Sequence, residues 1–257
     1  MKKKIQKALF IGHGSPMNVI EDNEYTDFLK KFTKNITPPK TIVVISAHWQ
    51  SNGTYITGWK NPAQIYDFWW FPEKLYTFKY APQGNPELAE KIASDDIGVK
   101  IDKDRGIDHA AWAVLTHMYK DNEIRLVEIS LDINKTLEQH FELGKKLAKY
   151  RDEDVLFIWS GNIVHNLGNI SFDETSKPFS WAVKLDEWFK EQIQKNNIDK
   201  LLHYTQYLPN YEEGIPTTEH YIPLLYTLWM MLSEEKITTI HESIQNGSIS
   251  MRSIEIS

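Results

Sequence analysis

Four short runs of branched and aromatic apolar residues, at positions 8–12, 41–47, 125–131 and 155–159, are each too brief for a helix and too continuous for a strand with one wet face. Such runs mark strands buried on both faces, as in a mostly parallel sheet covered by helices. Between and after them, stretches 21–32, 86–94, 109–119, 135–150, 181–194 and 222–232 have the lengths and mixed patterning of covering helices. Strands alternating with helices predict an α/β fold with a largely parallel central sheet flanked by helices. The tail departs from that rhythm: segments 236–241 and 248–255 flank Asn246-Gly247, a dipeptide suited to a type I′ turn, and predict a C-terminal β-hairpin. No fixed-period repeat and no Gly/Ser- or Pro-rich linker divides the chain, so residues 1–257 are expected to form a single domain.

The charge balance argues about partners. Twenty-nine basic against thirty-five acidic residues leave a net charge of −6, which speaks against nucleic acid as the main partner. Nothing approaches the roughly 20 apolar residues of a membrane span. Met1-Lys2-Lys3-Lys4 resembles the charged end of a leader, but the apolar run Ala8-Leu9-Phe10-Ile11 stops at Gly12-His13, short of a secretory core, so a cytoplasmic location is expected. The chain has no cysteine, which removes disulfides, thiolate zinc sites, iron–sulfur clusters and cysteine nucleophiles together. Imidazole and carboxylate are what remain for metal chemistry, and the sequence supplies nine histidines.

Ligands of open α/β sheets gather beyond the carboxyl ends of the parallel strands. His13 follows the first strand within Gly12-His13-Gly14-Ser15-Pro16, His48 follows the second in Ser46-Ala47-His48-Trp49, and His165 lies past the fourth in Ser160-Gly161-Asn162-Ile163-Val164-His165-Asn166. If these strands are neighbours, the three side chains converge. His220, at the start of a helix after Pro216-Thr217-Thr218-Glu219, is a fourth candidate. His109 opens a helix after Gly106-Ile107-Asp108, where the positive helix end favours neutral imidazole able to bind or deprotonate a hydroxyl. His117, His140, His203 and His241 carry the plainer expectation of surface or core placement; the eight-residue spacing from His109 to His117 does not make a metal-binding helix face. The aromatic segment Ile65-Tyr66-Asp67-Phe68-Trp69-Trp70-Phe71-Pro72 is too apolar to lie bare and should pack inward, over a ligand site or at a subunit contact. Dinucleotide, P-loop, nucleophile-elbow and His-Glu-x-x-His motifs are all missing.

Together with Ile65-Tyr66-Asp67-Phe68, Phe71-Pro72, Gly106-Ile107-Asp108-His109 and His220-Tyr221-Ile222-Pro223-Leu224-Leu225, these histidine segments resemble, in order across most of the chain, the DOPA-dioxygenase-type class III extradiol ring-cleaving dioxygenases, in particular their bacterial 4,5-DOPA extradiol branch. The resemblance implies one divalent metal, Zn2+ as found or Fe2+ for turnover, held by His13, His48 and His220, with His165 on or beside it as ligand or as acid and base. It implies His109 at a catechol hydroxyl or dioxygen, and insertion of O2 into a small aromatic diol to give a muconic semialdehyde. Trp49, Phe68 and Trp70 would then stack on the ring. Two positions depart from the family pattern, Ala110 and Trp70 standing where glycine is usual, and they set a methyl and an indole near the expected pocket. A monomer or small homo-oligomer is expected. Two other readings use the same residues: a zinc hydrolase with Glu219 as base, and a metal-binding scaffold without turnover.

Overall fold

A computed structural model describes residues 5–120, 123–173 and 176–257. The basic start Met1-Lys2-Lys3-Lys4 lies outside them. In chain order the strands are β1 (Ala8–Gly12), β2 (Thr41–Ser51), β3 (Thr54–Thr57), β4 (Val99–Asp102), β5 (Arg125–Asp132), β6 (Val155–Gly161), β7 (Ile237–His241), β8 (Ile244–Gln245), β9 (Ile249–Ser250) and β10 (Ser253–Ile256). The helices are α1 (Glu24–Phe32), α2 (Glu73–Thr77), α3 (Pro86–Ser94), α4 (His109–Met118), α5 (Leu137–Leu147), α6 (Ser180–Gln194), α7 (Ile198–Leu202), α8 (Tyr204–Tyr207) and α9 (Ile222–Trp229).

Among the described residues one sheet runs in the order β4-β3-β5-β2-β6-β1-β10-β7. The four apolar runs are its centre, and β5, β2, β6 and β1 are parallel neighbours. Because side chains alternate across a strand, each run feeds two cores. Leu9, Ile11, Ile42, Val44, Leu156 and Ile158 pack with Leu29 of α1 and Trp112 of α4 on one face. Phe10, Val43, Ile45, Val127, Phe157 and Trp159 pack with Phe141 of α5 and Leu225 of α9 on the other. That double burial is why the runs are continuously apolar and why their carboxyl ends are aligned.

The tail forms the expected hairpin with a subdivision. Asn246 and Gly247 both have positive φ (51° and 76°), and the Ser248 amide donates to the Gln245 carbonyl at 3.2 Å, closing the turn. Only β8 and β9 pair at the tip, as a separate small sheet. The arms β7 and β10 extend the main sheet instead, with β10 antiparallel to β1. The tip thereby stands beside the carboxyl end of β1. No helix among the described residues is long and apolar enough to cross a membrane.

Trp70 has a φ of 70° and is 100% exposed. A left-handed backbone costs an L-residue with a bulky side chain energy that glycine escapes, so Trp70 occupies a conformation that suits the glycine the resemblance leads one to expect. Trp70→Gly is expected to raise the melting temperature by about 2 °C, since an exposed indole gives little in return. A lower melting temperature in thermal denaturation would show that the indole has a packing role.

Candidate metal centre

His13, His48 and His220 come together at the carboxyl edge of the sheet, from three separate segments, with ligand-capable atoms within 4.8 Å of one another. His13 sits directly beyond β1, and the positive φ of Gly14 (63°) turns the chain out of the strand. His48 does not follow its strand, as expected, but lies inside it: β2 runs on to Ser51, and its register against β5 breaks between Ile45 and Gln50. Such an interruption re-aims side chains. The His48 amide donates to Ser46 Oγ at 3.0 Å, and Ser46 Oγ donates to the Asp108 carboxylate at 2.7 Å, tying the interruption to the residue that caps α4 before His109.

His220 reaches the sheet because Gly161 lets it. A Cβ on Gly161 would stand 2.3 Å from the His220 carbonyl oxygen, which accepts from the Asn162 amide at 2.9 Å. Gly161→Ala is therefore expected to push the His220 segment off β6, costing about 1–3 kcal/mol of stability by overpacking and weakening metal retention. Unchanged metal content after dialysis would contradict the arrangement.

The nitrogen network assigns each ring a direction. Ser160 Oγ donates to the Ala110 carbonyl at 2.7 Å, so it can only accept from His13 Nδ1, 3.0 Å away. His13 Nδ1 therefore carries the proton, and Nε2 carries a lone pair. His220 Nδ1 faces Glu219 Oε1 at 3.1 Å, and His48 Nδ1 faces Asp67 Oδ2 at 3.4 Å, which leaves their Nε2 lone pairs in the same direction. His48 Nε2 then lies 3.2 Å from both His13 Nε2 and His220 Nε2. Lone pairs facing each other at that range repel unless a cation lies among them. Nitrogens bonded to one metal at about 2.0–2.1 Å are about 2.9 Å apart at right angles and about 3.4 Å apart at the tetrahedral angle. The observed spacing lies within that interval, so the residues fit a divalent metal, with outer partners of the kind that orient metal-bound imidazole.

Burial, followed by the neighbouring imidazoles, holds His13 and His48 well below the ordinary histidine range. Burial takes His220 down to about 3. All three are neutral at physiological pH, as ligation requires.

Two more histidines border this focus. His165 stacks flat on His220, with ring centroids 3.6 Å apart and planes at 9°, and groups with Glu219 and His220 outside the three-nitrogen focus. Burial and the His220 ring lower it to about 2. His109 opens α4, and Asp67 grips it twice: Oδ1 accepts from the backbone amide at 3.0 Å and Oδ2 from ring Nδ1 at 2.8 Å. Burial would raise Asp67, but the hydrogen bonds from the His109 ring and amide and the electrostatic pull of the adjacent His109 and His48 imidazoles outweigh it and hold the carboxyl at about 2. Asp67 thus fixes the rings of His109 and His48 together. Its place in the sequence, the lone acid of an aromatic run, is the only advance sign of that role.

The histidines line one wall of a cavity of about 1030 Å³. Phe68, Trp69 and Phe71 line another side, and Phe68 meets the His109 ring edge-on at 5.6 Å. The expected roles of the other aromatics need correction. Trp49 is buried under the Arg105 guanidinium, 5.3 Å from its ring, and does not line the cavity; Trp70 points into solvent. Nor does the aromatic loop pack wholly inward, since Trp69 is 74% exposed at the cavity's edge. Ala110 is buried in the first turn of α4, so its methyl does not narrow the cavity. His117 bonds the Asn18 carbonyl, His140 the Tyr226 hydroxyl, His203 the Asp199 carbonyl and His241 the Ser243 hydroxyl, and none of these four histidines itself lines the cavity.

Comparison with known proteins gives a consistent set of relatives. A family model described as the catalytic LigB subunit of aromatic ring-opening dioxygenase matches residues 7–252. The chain is 42% identical over 255 residues to the 4,5-DOPA dioxygenase extradiol of Escherichia coli (strain K12), covering 97% of this chain and 94% of that one. It is 34% identical to the protein of the same name from Beta vulgaris, covering 96% and 94%. A crystal structure of an uncharacterized protein from Escherichia coli K12 superposes with a TM-score of 0.85 at 38% identity, covering 98% of this chain and 100% of that one.

Proposed function

Because the chain belongs to the LigB family of aromatic ring-opening dioxygenases, we propose that it opens the ring of a catechol bearing a side chain, outside the diol, in the manner its relatives' name of 4,5-DOPA extradiol dioxygenase describes. The product of such a cleavage is a muconic semialdehyde. The observation that carries the reading is the set of three Nε2 lone pairs aimed at one point, each imposed by a partner on Nδ1. His13, His48 and His220 would hold the metal, and His165 stands beside them. A ferrous ion bound there supplies Lewis acidity toward the diol oxygens and electrons for O2.

The remaining work falls to the chain's own groups. With Nδ1 committed to Asp67, His109 presents Nε2 as acceptor on the cavity side, placed to take the proton of one catechol hydroxyl. His165, kept neutral by burial and the His220 ring, can give a proton only after receiving one, so it is suited to take the proton released by the diol and return it to an oxygen as the ring opens. Phe68 and Phe71 give the ring an apolar wall that excludes water from the reacting edge. Glu219 is engaged by His220 Nδ1 and by the Thr217 hydroxyl at 2.8 Å, so it is not disposed to act as a hydrolase base.

The test is anaerobic loading with ferrous iron, followed by a panel of catechols in air-saturated buffer. Oxygen uptake equal to catechol consumed, with a yellow ring-opened product, is expected. Ester or amide hydrolysis by the zinc-loaded protein, with no oxygen uptake by the iron-loaded one, would overturn the reading.

A further inference from the structure

Outside the cavity lining, two acids meet in the interior: Glu128 on β5 and Asp108, the cap of α4, both 0% exposed. Asp108 is the hub of this cluster. Its Oδ1 accepts from the Ala110 amide at 3.1 Å, both its oxygens accept from Ser46 Oγ at 2.7 and 2.8 Å, and Oδ2 also accepts from Arg105 Nη2 at 2.9 Å. Ser46 in turn receives the His48 amide, Arg105 lies over the Trp49 ring, and His109 follows Asp108 in the chain. One carboxylate thus fixes both the backbone that carries a metal-binding imidazole and the helix end that carries the proton acceptor.

Glu128 reaches the hub from the sheet. Its Oε2 accepts from the Asp108 amide at 3.1 Å, and its carboxyl group is in hydrogen-bond contact with the Asp108 carboxyl. Two ionised carboxylates have no hydrogen to share, so that contact requires a proton on one of them. Asp108 already has donors on both oxygens, whereas Glu128 Oε1 meets no N–H or hydroxyl donor among the described residues. The proton therefore belongs on Glu128. Burial, then the charge of Asp108 and the hydrogen bond to it, push Glu128 well above the ordinary carboxylate range, against the pull of Arg105. We propose that Glu128 is a positioning residue of the metal centre: its protonated carboxyl donates to the Asp108 carboxylate, accepts from the Asp108 amide, and so holds the His48 and His109 segments in place. The inference rests on the roles given to His48 and His109 in catechol opening, and it adds a residue that does not line the cavity.

The experiment compares Glu128→Gln with Glu128→Leu. A glutamine amide can donate to Asp108 and accept from its backbone, as the protonated acid does, whereas leucine fills similar space and does neither. In Glu128→Gln, zinc affinity and oxygen uptake at saturating iron are expected within about threefold of the parent, because the hydrogen bonds are kept. In Glu128→Leu, zinc affinity should fall about tenfold and turnover at saturating iron about tenfold or more, in the range that loss of an outer partner produces. An infrared difference spectrum of the zinc-loaded parent minus Glu128→Gln should show the carbonyl stretch of a protonated carboxyl at neutral pH. Absence of that band, or a glutamine variant as damaged as the leucine one, would overturn the inference. So would a folded Glu128→Leu protein with parental zinc affinity and turnover, which would reduce Glu128 to packing and leave the catechol reading standing. Should Glu128→Leu not fold, the glutamine variant and the infrared band decide alone. No oxygen uptake by the iron-loaded parent with any catechol would remove the catechol reading itself, and the role of His109 with it.

Discussion

Replacing His48 by alanine is expected to abolish stoichiometric metal binding and, with it, oxygen uptake. His48 Nε2 is the nitrogen within 3.2 Å of both other ring nitrogens, so its loss leaves two imidazoles with nothing between them. Loss of an outer partner alone weakens metal affinity by about 10–100-fold, which is a lower bound for loss of a ligand. The fold should survive, because His48 is only half-buried and sits where the β2 ladder is already interrupted. Metal content after dialysis, read beside a thermal melt, checks both halves. Full metal content in a folded variant would sink the ligand assignment.

Asp67→Asn should separate two consequences of one change. An amide matches the carboxylate in shape, but only one of its two atoms accepts, whereas Asp67 receives the His109 amide at Oδ1 and the His109 ring at Oδ2. One donor must be left facing an NH2 group. If it is the ring, His109 is released to turn its proton toward the cavity, and Nε2 ceases to be an acceptor. The loss of charge also removes the carboxylate facing His48 Nδ1. Metal affinity should fall about 10-fold and turnover at saturating metal about 100-fold or more, in keeping with the effect of a misdirected catalytic histidine elsewhere. Metal titration and oxygen uptake at saturating iron measure the two separately. Turnover within twofold of the parent would show that Asp67 does not govern His109.

The centre of the fold was readable because strands buried on both faces leave an unmistakable apolar run, and β1 begins and ends where its run does. The edges were not. Thr54–Thr57 and Val99–Asp102 have four residues each, and Thr-Tyr-Ile-Thr or Val-Lys-Ile-Asp offers too few positions for an alternation to stand out from its surroundings. Asn246-Gly247 announced its turn through the residues that tolerate positive φ, yet nothing local says that the arms join the sheet beside β1 while the tip pairs alone. At the site, His13 and His165 were legible because parallel strands deliver their ends to one edge, and His48 because it closes an apolar run, although β2 itself continues to Ser51. His220 was a candidate only by its type and setting, since its approach depends on the absence of a side chain at Gly161. The orienting groups Asp67 and Ser160 were silent, because a hydrogen bond between residues 67 and 109, or 13 and 160, belongs to the tertiary structure. Trp70 misled for a related reason: the departure from glycine lay in the backbone angle, and the indole points away from the cavity.

The position of β10 has a temporal meaning. β1, which carries His13 to the edge, lies between β6 and β10 in the sheet, so it is made early and flanked late. On the ribosome it has no partner on one side until β6 emerges, and none on the other until residues 253–256 do. Pairings this distant along the chain form slowly. His220, too, is delivered only after β6 exists to receive it. A nascent chain therefore holds scattered histidines and no coordination sphere, and metal capture belongs to the finished polypeptide. Which ion is acquired then depends on the ions the completed chain meets, and a chain halted before β10 would leave translation without a settled centre.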